Sequence, residues 1–467
     1  MEILAETGRL LEEISAYCRN NGIAESTFGR LSINDGKLMS RLRTGGGVTE
    51  ETSVRIRAFM QTNRTAQRRR GVSTAANGVT VSRQQPQKLS AEIEKIFRFY
   101  DNRQKYLMFV TTSNEKWVVA DRAAAELDNI VLHPPALRLF DAGVGEGSVL
   151  ARLMRAMHDR FPTAPFYIVG KEISPEDVRL TLEKMPDRFC EHPATVLVMT
   201  NLHYAEAPWL APHSIGAATS LVWHELALAG GTGHDFERQI SDLEPFLATH
   251  WRAQISPRTG NPVYEKPVVL VIYRNDYRLL LDSVLPRRGA VKADFDFVLA
   301  SQPYRARASA AFKAKRVIAP LARALGPGGR LLGIHSYGKG PALEIIQRIW
   351  PDDNAFATDR HHLLHAVKSA LGADARRLNF LAASDARALF RYDMHTLPHE
   401  ISGHINTSTL LAAWNAATYV AQIDDDRLSR VISHDAYLEA TRDVLLRHGG
   451  LWFWDESYVI SRRPGLD

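Results

Sequence analysis

The chain has 467 residues, 45% of them apolar, enough for a sizeable core and two or three domains, which excludes a disordered protein. No apolar run approaches the roughly 18 to 20 residues that cross a bilayer, and the acidic, amphipathic start MEILAETGRLLEEI does not read as a signal sequence, so a cytoplasmic protein without a membrane partner is expected. The net charge of +6 is N-terminal: residues 1–90 hold 14 Lys/Arg and 8 Asp/Glu, and the remainder is balanced at 44 of each.

That asymmetry suggests a polyanion partner for the N-terminal part, with a solvated basic linker as the plainer alternative. Cys18 and Cys190 provide neither a disulfide framework nor a cysteine metal site, and both read as buried thiols.

Leu10, Leu11, Ile14 and Tyr17 recur at helical spacing. A short helix over 25–30 follows, then one from Asp35 to Arg43 capped by Asn34, and a fourth through Val54 and Phe59 capped by Thr49. Thr52, three residues after Thr49, rules out a strict capping box. Four short helices over residues 1–61, the third carrying Lys37, Ser40, Arg41 and Arg43 in STFGRLSINDGKLMSRLRTGG, resemble a lambda-repressor-like helix-turn-helix domain. The resemblance implies DNA contacts by those four residues, and a homodimer if the DNA site is palindromic; a helical docking module is the alternative. Residues 62–90, polar and containing Arg68, Arg69 and Arg70, read as a flexible linker.

Within 91–467, the apolar run Leu137 to Phe140 leads into Asp141-Ala142-Gly143-Val144-Gly145-Glu146-Gly147, after which Val149, Leu150, Leu153, Met154 and Met157 mark one helix face. Glycines at a strand-to-helix turn let the backbone approach a ligand beside free helix N–H groups. Strand 166–170 ends at Glu172, an acid able to accept a ribose's hydroxyls, and strand 195–199 ends at Thr200-Asn201.

In this order the three elements resemble class I S-adenosylmethionine (SAM)-dependent methyltransferases. The resemblance implies a Rossmann-like α/β sheet with helices on both faces. It sets Asp141, Gly143, Gly145 and Gly147 on the methionine moiety of SAM, Glu172 on the ribose and Asn201, where Asp is commoner, on the adenine edge. A nicotinamide dinucleotide would call for a third glycine one residue later.

Two segments compete for the fourth strand. ADFDFVLASQPYRAR, followed by an apolar helix over 317–325 and the turn Gly326-Pro327-Gly328-Gly329, is preferred, and it leaves residues 205–290 as an insertion over the acceptor pocket. The other, GAATSLVWHELAL, would turn Trp223, His224 and Glu225 toward the methyl group.

Gln302-Pro303-Tyr304 is similar to the N-P-P-Y motif of enzymes that methylate planar nitrogens, with Gln in place of Asn and one Pro missing. Gln302, Tyr304 and His224 are thus the candidate catalytic residues, and His224, His335 or Tyr304 the candidate base. His361 and His365 lie one helical turn apart without the acid of a zinc motif, so no metal site is assigned. In the C-terminal extension, HGGLWFWDESYVISRRP reads as a hairpin turning at Asp455-Glu456 that would close the sheet with an antiparallel edge, and Trp414, Tyr419, Trp452 and Trp454 read as core, with the lining of an aromatic acceptor pocket as the alternative.

The function expected is methyl transfer from SAM to an unidentified acceptor, small molecules favoured. The alternatives are a SAM-sensing transcription regulator without turnover and a DNA N-methyltransferase.

Overall fold

The computed structural model describes residues 10–18, much of 25–60, and 103–465 apart from 257–261, 396–400, 402–404 and 433–434. The chain divides into two compact units, 1–85 and 86–467.

In the first unit Leu10, Ile14 and Tyr17 are buried with Phe28, Leu38, Met39, Leu42, Ile56 and Met60. The helix Leu38–Arg43 buries Leu38, Met39 and Leu42 and leaves Ser40, Arg41 and Arg43 exposed. Arg43 pairs with Glu25 at 2.8 Å. Thr49 Oγ1 accepts the Thr52 N–H at 3.3 Å, so the expected cap forms, and a hydroxyl pair with Thr52 stands where a capping box would place an acid. Lys37, the Asn34 cap and the linker 62–90 with its three arginines lie outside the described residues.

In the second unit the strands are β1 Leu137–Asp141, β2 Phe166–Lys171, β3 Thr195–Thr200, β4 Val222–Leu228, β5 Ala253–Ile255, β6 Pro262–Tyr264, β7 Val268–Arg274, β8 Phe295–Ser301, β9 Leu325–Tyr337, β10 Leu378–Leu381, β11 Leu389–Asp393 and β12 Trp452–Arg462. β5 and β6 pair with each other; the rest form one sheet in the order β10-β12-β9-β8-β1-β2-β3-β7-β4, with β11 also on β12. Neighbours from β9 to β3 are parallel. β12 is antiparallel to β9, and β7 to β3.

Period-two alternation divides the core. Leu139, Ile168, Leu197 and Leu299 face one side of the sheet, and Phe140, Val169, Val198 and Val298 the other. The helix Ser148–Arg160 covers the first face with the predicted Val149, Leu150, Leu153, Met154 and Met157, each such side chain worth about 1.5–3 kcal/mol when fully buried. Helices at Ala319–Arg323 and Arg360–Leu371 cover the second. The architecture is mixed α/β, a large central sheet between helical layers, as a Rossmann-like methyltransferase fold requires.

Three expectations change. β8 lies beside β1 and β9 beyond it, so the preferred fourth strand holds; β4 lies instead at the opposite edge, and the insertion lengthens the sheet with β7 and β4 rather than only covering a pocket. The last segment is one long strand, not a hairpin, because both Asp455 and Glu456 are buried inside it. Cys190 is exposed while Cys18 is buried, since the helix Met185–Glu191 turns Met185 and Phe189 inward instead.

Candidate active site

β1 is followed on one side by β2 and β3, and the chain returns to its other side as β8, so the loops leaving β1 and β8 diverge over a crevice. The loop after β1 is tied to both walls: the Ala142 N–H donates to Leu299 O at 2.9 Å and the Val144 N–H to Lys171 O at 3.2 Å.

Gly147 has φ +86° and opens the helix Ser148–Arg160; a Cβ there would sit 2.8 Å from Thr181 Cα. Gly145, at φ +57°, would bring a Cβ within 2.9 Å of the Tyr106 hydroxyl. Thr181 Oγ1 donates to Gly145 O at 2.8 Å, and Lys184 Nζ to Glu146 O at 2.6 Å.

Asp141 is 2% exposed and, among the described residues, accepts one hydrogen bond, from the Gly143 N–H at 3.1 Å. Burial pushes its carboxyl up to about 7, the Gly143 amide holding it down and the Glu172 charge raising it further. Glu172 Oε2 accepts the Gly145 N–H at 3.0 Å, and Oε1 accepts those of Ile173 and Ser174 at 2.7 and 3.0 Å. With three of about four lone-pair directions engaged, the carboxylate takes both hydroxyls of a ribose only if the Gly145 amide lets go. Asn201 is occupied in another way: its Oδ1 accepts the Val268 N–H at 2.8 Å and its Nδ2 donates to Lys266 O at 2.9 Å, fastening the start of β7 to the end of β3.

At the end of β8, Gln302 adopts φ +48°; its Nε2 donates to Ser336 Oγ at 3.0 Å and lies 3.3 Å from both oxygens of the fully buried Asp455. Tyr304, two residues on, is buried with its hydroxyl 2.6 Å from His335 Nδ1, and His335 Nε2 is 2.7 Å from Glu456 Oε1. The carboxylate facing Nε2 fixes the proton there, so Nδ1 accepts from Tyr304. Glu456 in turn accepts from Arg360 Nη1 at 2.9 Å and from the Arg360 backbone N–H at 2.8 Å.

Asp141, Gly143, Gly145, Glu172, Asn201, Gln302 and Tyr304 all line a single cleft of ≈ 1680 Å³. Gly147 lies behind it at the helix cap. His224 is not brought to the cleft: it lies on β4 with its ring stacked on Phe246, 4.6 Å between centroids. The helix residues His361, His362 and His365 also lie elsewhere.

Four lining side chains sit upstream or downstream of any motif. Tyr106, Lys116, Tyr392 and Tyr419 converge on the cleft from opposite ends of the unit, so Tyr419 lines the cleft as well as the core. Lys116 Nζ is 3.0 Å from Glu115 Oε2; burial alone would lower its pKa, and the Glu115 carboxylate together with Tyr419 and Glu146 more than offsets this, raising it to about 12. The sequence offers Tyr419 as an acceptor-pocket candidate, and no motif marks the other three.

No family model matches the chain, and no curated protein matches it. Among solved structures, a geranyl diphosphate methyltransferase in complex with GPP and sinefungin is similar at 13% identity over 73% of this chain and 77% of that one, with a TM-score of 0.27. The same enzyme in complex with SAM gives 12% identity, 74% and 85% coverage and a TM-score of 0.27. A protein described as a sarcosine dimethylglycine methyltransferase from Galdieria sulphuraria gives 10% identity, 75% and 86% coverage and a TM-score of 0.30. These superpositions are loose, and the fold assignment rests on the order of the strands and the crevice between β1 and β8.

Proposed function

We propose that residues 86–467 form a SAM-dependent methyltransferase. The observation that carries this reading is the pair of carboxylates, Asp141 and Glu172, set around the glycine loop at the crevice, in a cleft that runs on without interruption to Gln302 and Tyr304.

A buried Asp141 with no cationic hydrogen-bond partner among the described residues suits a positively charged ligand, and Gly143 leaves its side open, with only Ser301 O, 3.8 Å away, near an added Cβ. Asp141 and the loop hold the amino-acid end of SAM, and Glu172 the ribose once the Gly145 amide is displaced. His203 and Tyr204, lining the cleft just past Asn201, flank the adenine in place of the occupied Asn201 amide. When bound, SAM supplies an electrophilic methyl group.

The chain's task is then alignment and removal of a proton. Gln302, held by Ser336 and Asp455, orients the acceptor. The Tyr304 hydroxyl takes up the acceptor's proton while passing its own to His335 Nδ1, and Glu456 stabilises the imidazolium that forms. A cleft of ≈ 1680 Å³ exceeds the roughly 300–1000 Å³ of a single-ligand pocket, which supports turnover with a second ligand over sensing of SAM alone.

Calorimetric titration of SAM into the full chain tests the reading. Saturable binding is expected, weakened at least about tenfold in Asp141→Ala and Glu172→Ala, as the loss of a charge-assisted contact requires. A folded wild type that does not bind SAM overturns it.

For the first unit we propose DNA binding by Lys37, Ser40, Arg41 and Arg43. What supports it is a helix that buries Leu38, Met39 and Leu42 and turns Ser40, Arg41 and Arg43 outward. Fluorescence anisotropy with duplex DNA should show binding that weakens steeply with salt and is reduced in Arg41→Ala; salt-independent or unchanged binding removes the proposal.

A further inference from the structure

We propose that the methyl acceptor is a small phosphorylated molecule whose phosphate is held at the cleft by Lys315 and Arg316, with Arg305 on the same rim. The assignment deepens the methyl-transfer reading and rests on it for what is methylated; the anion site itself stands on separate observations.

All three residues line the cleft, and all come from the segment that follows β8, the strand that delivers Gln302 and Tyr304. The basic residues of this segment divide into two groups. Arg307 is used to fold the chain: it pairs with Asp353 at 2.8 Å, and its Nε reaches Ala421 O and Gln422 O. Lys313 is used likewise, buried with its Nζ donating to Ala306 O at 2.8 Å and 5.2 Å from the Tyr304 ring centre. Lys315 and Arg316 are exposed and form no ion pair among the described residues. They occupy a π-helical turn, Ala314–Ile318, set between the α-helical stretches Ala310–Lys313 and Ala319–Arg323. Such turns interrupt the regular ladder and recur at functional sites.

The lining carries both signs: Asp141 and Glu172, beside β1 and β2, share it with Lys116 and Lys171. Lys315 and Arg316 add two adjacent exposed cations from the segment after β8.

Two adjacent full charges, one a guanidinium fork, match a phosphate dianion better than a single carboxylate. A nucleic acid would need a longer basic track, whereas residues 91–467 carry equal numbers of acidic and basic side chains.

The test is calorimetric titration of inorganic pyrophosphate into the full chain at about 0.15 M ionic strength, where exposed non-specific charge effects are screened. Saturable binding is expected in the wild type, weakened at least about tenfold in Lys315→Gln/Arg316→Gln and unchanged in Lys368→Gln, an exposed lysine that does not line the cleft. S-adenosylhomocysteine should bind the double variant as it binds the wild type, which also reports that the variant is folded; Lys315→Gln alone serves as a second, milder variant. Pyrophosphate that does not saturate the wild type, or binds the double variant equally, overturns the proposal. A single-stranded oligonucleotide that outcompetes pyrophosphate by about a hundredfold and loses this advantage in the double variant replaces the small molecule with nucleic acid, and so overturns it too. If pyrophosphate behaves as expected while S-adenosylhomocysteine fails to bind, the anion site stands and the methyl-transfer reading falls.

Discussion

The two ends of the cleft are built by opposite means. At the glycine loop, the hydrogen bonds made by the side chains of Asp141, Glu172, Thr181 and Lys184 join residues at most 38 positions apart, and the Ala142 N–H to Leu299 O bond is the long-range tie to β8. At the β8 end, Gln302 meets Asp455 across 153 residues, and the line Tyr304, His335, Glu456, Arg360 spans gaps of 31, 121 and 96. Apart from the Leu299 tie, the first end is held by its own strand, loop and the helices that follow. The second exists only when β12 has inserted beside β9, so its chemistry depends on the whole sheet being closed.

That contrast can be broken by measurement. The largest effect is expected for Arg360→Ala, which leaves Glu456, 1% exposed, without its cation; removing one partner of a buried pair costs about 3–5 kcal/mol, read from chemical denaturation. Gly147→Ala should cost less, about 1–3 kcal/mol, from a strained φ and a close approach to Thr181 that small shifts in the loop can relieve. If the glycine variant proves the more damaging, the β8 end is not the part that depends on global closure.

A further effect is one of pH. A carboxyl raised from 3.8 to about 7 by burial stabilises the fold while protonated; this contribution is whole below pH 3.8 and is lost as the pH rises through 7. Asp141→Asn should therefore flatten the decline in melting temperature between pH 4 and 7. In the wild type, SAM affinity should rise over the same interval by at most about tenfold per pH unit, and the Asn variant should lack that slope. An equal slope in both forms would assign the titration to another group.

The legibility of the sequence follows the same division. β1 to β3, the apolar face of the helix after the loop, and the acids Asp141 and Glu172 sit in one continuous stretch whose period and turn residues announce them. The register of β12 against β9 has no such signal. Asp455 and Glu456 look like turn residues because two adjacent acids are rarely buried; in a strand they point to opposite faces, one to Gln302 and one to His335. Asn201 was legible as the end of a strand, but its clamp on β7 was not, because the partner backbone lies 65 residues away. His224 misled for the converse reason: an apolar strand with a polar pair reads alike at the centre of a sheet and at its edge.

The two strands added beyond β3 bear on how the protein meets its neighbours. In an open sheet ending at β3, the row of unsatisfied backbone groups would lie beside Asn201 and the cleft, and a foreign strand zipping onto it would crowd the ligand. Here that row belongs to β4, two strands away, where Glu225 is exposed and accepts from the Trp223 indole at 3.1 Å, placing charge along the border. The border is thus separated from the chemistry, and recruitment at β4, whether by another protein or by an engineered fusion strand, would leave the entrance to the cleft open.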